Sequence, residues 1–130
     1  MYWTMLTEKD YCDYDTCVAL KELGFNERCL GWYDEERTLN HNRKVLWANT
    51  HIENYNAIAC PSLYEAQKWL REEKRILILP DYNSFGWFCG IHYPINSVKM
   101  FKYTAKEVNS YEEALLEGIK EAIKILMEEK

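Results

Sequence analysis

Apolar and polar positions alternate along this chain with two different periods, and the switches between them mark its elements. In "DYDTCVALKELGF", Ala19, Leu20 and Leu23, with Thr16 one turn back, form a short apolar stripe at helical spacing. The pattern predicts a helix over Tyr14–Leu23, with Asp13 or Asp15 as its N-cap and Gly24 just past its end. In "PSLYEAQKWLREEK", Leu63, Ala66, Trp69 and Leu70 share one helical face. Ser62 and Glu65 stand at capping-box spacing before it. The last helix is the longest: Tyr111, Ala114, Leu115, Gly118, Ile119, Ala122, Ile123 and Leu126 form a broad apolar face behind Ser110 and Glu113. Gly118 in mid-helix, between Ala114 and Ala122, points to a close approach of the helix backbone to another element.

Between the helices the period changes to two. "RILILP", "FGWFCGIHY" and "VKMFKYT" read as three strands joined by "DYNS" and "PIN". Connections this short require antiparallel neighbours. Two further strands are expected at Leu30–Asp34 and Val45–Thr50, separated by a polar segment with Asn40 and Asn42. The predicted order is α-β-β-α-β-β-β-α, an α+β fold in which an antiparallel sheet of three to five strands packs on amphipathic helices. Residues 1–12 read as a loosely held end. No linker interrupts the chain, so one α+β domain over 1–130 is expected.

Strand parity then bears on chemistry. From Phe85, one face receives Phe85, Trp87, Cys89, Ile91 and Tyr93; the other receives Gly86, Phe88, Gly90 and His92. The first, continuous and apolar, is expected to meet the helices, with Trp87 buried there. Cys89 and His92, at a metal-like spacing, fall on opposite faces of a straight strand and cannot share a zinc ion without a bulge. No metal and no cofactor is expected. The chain has no GxxxxGK[ST], no GxGxxG and no G-x-S-x-G. A Cys–His pair assembled in space from His41 or His51 with Cys60 or Cys29 stays open, because sequence cannot display such a pair. Glu35-Glu36 and Glu72-Glu73 read as surface carboxylates.

Composition narrows the partners. The net charge is -5, which speaks against non-specific nucleic-acid binding. Lys99, Lys102 and Lys106, like Arg71, Lys74 and Arg75, read as solvated faces. Five cysteines, an odd number, with no signal-like start and no membrane-length apolar run, suggest reduced thiols and a cytoplasmic setting. Aromatic residues make up 15% of the chain, more than one sheet face needs. Trp32, Tyr33, Trp47, Phe88 and His92, with Tyr93 nearby, are the candidate interaction surface if some of them lie away from the helices; otherwise the rings cover one another. Gly86 and Gly90, either side of Phe88, would leave room for a partner's side chain.

The helices also carry a resemblance. "PSLYEAQKWLREEKRI" and "SYEEALLEGIKEAIKIL", with a Trp-bearing hairpin between them, resemble a family of small uncharacterised proteins of Bacteroides-type gut bacteria and their phages. The shared pattern is P-[ST]-x-x-E-A-Q-x-W-L-R, then strands, then S-Y-E-E-A-L-x-x-G-I-x-x-A-[LI]. Pro61, Ser62, Glu65, Ala66, Gln67, Trp69, Leu70 and Arg71 match the first part. Ser110, Tyr111, Glu112, Glu113, Ala114, Leu115, Gly118, Ile119 and Ala122 match the second. The likeness covers roughly residues 60–126 and implies a phage or mobile-element setting, with no activity attached.

The expected function is therefore that of a phage- or prophage-related accessory protein, not an enzyme, acting through protein–protein contacts or self-association. A nucleic-acid-associated module is the alternative, by the α-β-β-β-α order of the C-terminal half, similar in outline to double-stranded RNA-binding domains, although "NSYEEALLEG" is acidic where such a domain needs a basic helix start. A small Cys/His-dependent enzyme is the third reading.

Overall fold

The computed structural model describes residues 6–41 and 46–128. The chain divides into two compact units, Met1–Tyr64 and Glu65–Lys130. Its architecture is α+β, with two three-stranded antiparallel sheets.

The first unit opens with α1, Tyr14–Glu22. Asp13 caps it, Oδ1 accepting the Thr16 amide at 2.9 Å. Gly24, at φ +102°, ends it, and the Phe25 amide turns back to the Leu20 carbonyl. β1 (Gly31–Tyr33) forms a hairpin with β2 (Leu39–His41), and on its other side pairs antiparallel with β3 (Ile58–Cys60). The hairpin turn is organised by Asp34, whose carboxylate accepts from the Glu36 and Thr38 amides and from Asn40. Those bonds hold its pKa below the usual carboxylate value. α1 packs on β3.

Three expectations fail in this unit, the first at β2, whose Asn40 lies in the segment expected to be a turn-prone connection. The strand expected at Val45–Thr50 is absent from its described part. Trp47 makes a single bridge to Cys29, and α2 (Asn49–Ile52) follows; Val45 lies outside the described residues. Asn49 decides this segment. Its buried side chain donates to the Phe25 carbonyl and accepts the Ala59 amide, both at 2.9 Å, satisfying partners distant in sequence. The strand that completes the sheet is "IAC", too short for any periodicity to reveal. The end of the 1–12 stretch is also not loose: Tyr11 and Cys12 are buried, Tyr11 bridges Ser62, and the Cys12 amide donates to the Pro61 carbonyl.

The second unit follows its pattern closely. α3 (Leu63–Lys74) begins at the unit boundary and leads through Arg75 into β4 (Leu77–Asn83), β5 (Gly86–Ile95) and β6 (Val98–Tyr103). All neighbours are antiparallel, in the order β4-β5-β6. The β5–β6 turn places Asn96 and Ser97 at φ +48° and +68°, type I′ geometry matched to strand twist. α4 (Tyr111–Glu128) lies across β4 and β5. Ser110 caps it, Oγ accepting the Glu113 amide at 3.1 Å while donating to the Glu113 carboxylate at 3.3 Å. Gln67 of α3 donates to the outward carbonyl of Ile78 on edge strand β4, at 2.7 Å.

The close approach expected at Gly118 is real. A Cβ there would lie 2.7 Å from both Cys89 Sγ and Ile78 Cγ2. Substitution by Ala therefore sets two effects against each other. Helix propensity favours Ala by about 1 kcal/mol, while overpacking against a filled core costs about 1–3 kcal/mol. Gly118→Ala is expected to destabilise on balance, read as a lower urea midpoint. A higher midpoint would mean that the helix stands off the sheet.

Candidate functional site

Register assigns the two faces of the β4-β5-β6 sheet. Ile78 pairs with Ile91, and Cys89 lies between Pro80 and the start of the β6 ladder, on the side that meets α4. Ile78, Cys89 and Ile91 are buried, and Cys89 Sγ donates to the Ala114 carbonyl at 3.0 Å. The other side carries Leu77, Leu79 and Asp81 on β4, Phe88, Gly90 and His92 on β5, and Lys99, Phe101 and Tyr103 on β6. The parity reading holds from Phe88 to His92: Cys89 is buried, His92 exposed, and they face opposite ways.

Two residues at the start of that run depart from it. Phe85 is in the hairpin turn, 83% exposed, because Asn83 Oδ1 takes its amide and bends the chain before β5 begins. Trp87 is half-buried rather than buried. Its ring stands edge-on to Tyr82 at 5.0 Å and to Tyr111, the first residue of α4, at 5.6 Å. It closes the rim of the helix–sheet interface rather than filling its centre.

The outer face is apolar and largely open. Leu77 is 37% exposed, Leu79 43%, Phe101 45% and Tyr103 59%. Four rings run across it in sequence: Phe88 against Tyr103 at 5.4 Å, Tyr103 against Phe101 at 4.7 Å, and Phe101 against His92 at 4.4 Å. The glycines on this strand do not leave pockets for a partner. The Phe101 ring lies over Gly90, 3.1 Å from where a Cβ would be, and the Val108 carbonyl occupies the space at Gly86. Both vacancies are filled from within the chain.

Of the five residues expected to form an interaction surface, two belong to the second unit and three to the first. Phe88 and His92 join the outer face of the second unit. Trp32, Tyr33 and Trp47 belong to the first unit, and all three are half-buried. Trp32 and Tyr33, adjacent on β1, point to opposite sides. Tyr33 is a packing residue: its hydroxyl donates to the Cys12 carbonyl at 3.0 Å, its ring meets Tyr14 edge-on, and burial, then the nearby thiols, raise its pKa. Trp47 stands edge-on to His51. Leu77, Leu79, Phe101 and Tyr103 were missed as surface residues. The signal for them was the i, i+2 spacing in "LIL" and "FKY", which becomes informative only once one face is known to be covered.

The cysteines are all free and buried. Cys12, Cys17 and Cys60 gather in the core of the first unit. Cys17 bonds with the other two thiols, and burial and these bonds push its pKa well up. Cys60 Sγ donates to the Cys12 carbonyl, and Cys29 Sγ to the carbonyls of Gly31 and Trp47. Of the histidines considered as dyad partners, His41 stacks on Tyr11 and His51 Nδ1 accepts the Ala48 amide at the start of α2. Among the described residues, no group of three or more His, Cys, Asp or Glu converges as a metal site. No helix among them is long and apolar enough to cross a membrane.

No protein-family model matches the chain, and no curated protein or solved structure matches it.

The buried thiols predict an alkaline weakness. Burial raises the Cys89 pKa to about 12, from an ordinary thiol value of 9.0. A pKa raised on folding means that the neutral thiol is favoured in the native state. Its contribution is present below the unfolded-state value and is lost as pH rises through the folded one. Stability is expected to fall between about pH 9 and pH 12, and Cys89→Ala to flatten that fall. An equally steep fall in Cys89→Ala would assign the loss to other groups.

Proposed function

We propose that this chain is a binding protein that engages a partner protein through the outer face of its β4-β5-β6 sheet. One observation carries the reading. Large apolar side chains on two edge strands, Leu77 and Leu79 on β4 and Phe101 and Tyr103 on β6, are left open on one face while α4 covers the other. Leaving such a contiguous surface in water forgoes burial worth about 25 cal/mol per Å², and patches of this kind mark interaction surfaces.

The cytoplasmic setting belongs to the same proposal, supported by five free, buried thiols that suit a reducing compartment. So does the phage or prophage setting, which rests on the two helix motifs; flanking genes for virion or integration proteins would support it. Contact with a second copy of the chain is the other form this interaction can take.

The test is photo-cross-linking in cells that make the protein. Benzoylphenylalanine installed at Phe101 or Leu79 is expected to give a discrete adduct. The same group at Lys124, exposed on α4, is expected to give none. The adduct's mass separates a foreign partner from a second copy. Equal adducts from both sides, or none, would remove the outer face as the contact surface.

A further inference from the structure

We propose that the groove at one end of this sheet, where the outer face ends, is a recognition site for an acidic, apolar peptide segment of the partner protein, an inference that rests on the binding reading above. The groove has a volume of about 380 Å³ and lies where the ends of β4, β5 and β6 meet. Its polar lining is basic: Arg75 at the entry to β4, His92 on β5 and Lys99 on β6. Its apolar lining is Leu77 and Pro94 from the outer side, with Tyr93 and Met100, a cross-strand pair on the other side of the sheet, at its end. Among the described residues no carboxylate lines it, in a chain whose net charge is -5.

The two permanent cations differ from their neighbours. Lys102 pairs with Glu121 at 3.2 Å, Arg71 with Glu72 at 3.2 Å, and Lys74 lies over the Trp69 ring at 5.4 Å. Arg75 and Lys99 have no ion pair among the described residues, and they line the same groove. Like charges brought together without a counter-charge repel, and an incoming carboxylate relieves that repulsion.

Arg75 also occupies an unusual backbone position. It follows α3 at φ +59°, in the left-handed region where glycine is the favoured residue. The Ile76 amide donates to the Leu70 carbonyl across it. The fold would accept glycine here more readily, so the arginine side chain is not what ends the helix. Backbone strain beside a groove, with the side chain lining it, fits a binding role.

The occupant follows from the lining. Two cations and an imidazole in the lining call for carboxylates, and the apolar lining residues call for a large apolar side chain next to them. A single nucleic-acid strand fits less well. It needs cations repeated along a track, whereas the basic groups of this face gather at one end and Asp81 stands towards the other.

The test is a nuclear magnetic resonance titration of the nitrogen-15-labelled full chain. The probes are the blocked peptide acetyl-Asp-Phe-Glu-Leu-Asp-amide, its Asn/Gln counterpart, and an oligothymidylate. The acidic peptide is expected to shift the Leu77, His92 and Met100 amides saturably, and its neutral counterpart to bind at least about tenfold more weakly. Arg75→Gly combined with Lys99→Gln is expected to abolish those shifts while leaving the thermal midpoint at or above that of the parent, since glycine suits the backbone at 75. Equal binding of the two peptides, or none, overturns the proposal. Tighter binding of oligothymidylate at the same amides overturns it in favour of nucleic acid. A Phe101 cross-link alongside a silent titration removes the groove and leaves the contact surface. Saturable peptide binding without a cross-link leaves the groove and removes the wider face.

Discussion

The packing of α4 on Cys89 and Ile78 at Gly118 is the constraint on which the second unit depends. With only a hydrogen where a side chain would stand, the helix backbone approaches β4 and β5 closely enough that the Cys89 thiol reaches the Ala114 carbonyl. This contact decides which face of the sheet is dry. Ala114 and Ala122, one turn to either side and fully buried, keep the approach close along the helix. Once that face is taken, every alternate residue of β4, β5 and β6 must point the other way. The open face with its rings is the geometric consequence of a glycine on α4.

The first unit reaches stability by another route. Its strands are three residues long, so ladder bonds and alternation contribute little. Small buried groups and well-paired polar ones take their place. Cys12, Cys17, Cys29 and Cys60 act as compact apolar residues whose weak S–H donors find carbonyls or one another. At Gly31 the Cys60 carbonyl and the Tyr11 ring come within 3 Å of where a Cβ would lie, so β1 and β3 admit no side chain there. Asn49, buried with both ends of its amide satisfied, ties α2 to Phe25 and to β3. These groups meet only in the folded chain, and nothing in their spacing announces them.

Helices α1, α3 and α4 and the three-stranded hairpin pair were legible because each carries its signal locally. Asp13 and Ser110 cap where their spacing to the apolar run predicts, and Gly118 is tight where its flanking alanines suggest. Alternation placed Cys89, Ile91 and His92 on the correct faces. It failed at Phe85, where Asn83 forms a turn and the strand has not begun, and it overstated the burial of Trp87, because position at the rim of an interface does not follow from parity.

Sequence by itself determined the α+β class, the long helices with their caps, the antiparallel order of β4 to β6, and the separation of Cys89 from His92. Each rests on neighbours within a few residues, where backbone geometry fixes which side chains share a face. Tertiary structure alone decided that "IAC" completes a sheet while "LWANT" turns into a helix. It also decided that Phe101 fills the space over Gly90, and that Arg75 and Lys99, twenty-four positions apart, share one groove. Those outcomes depend on which distant segments meet, and pairing between strands carries no mark in the spacing of either strand alone.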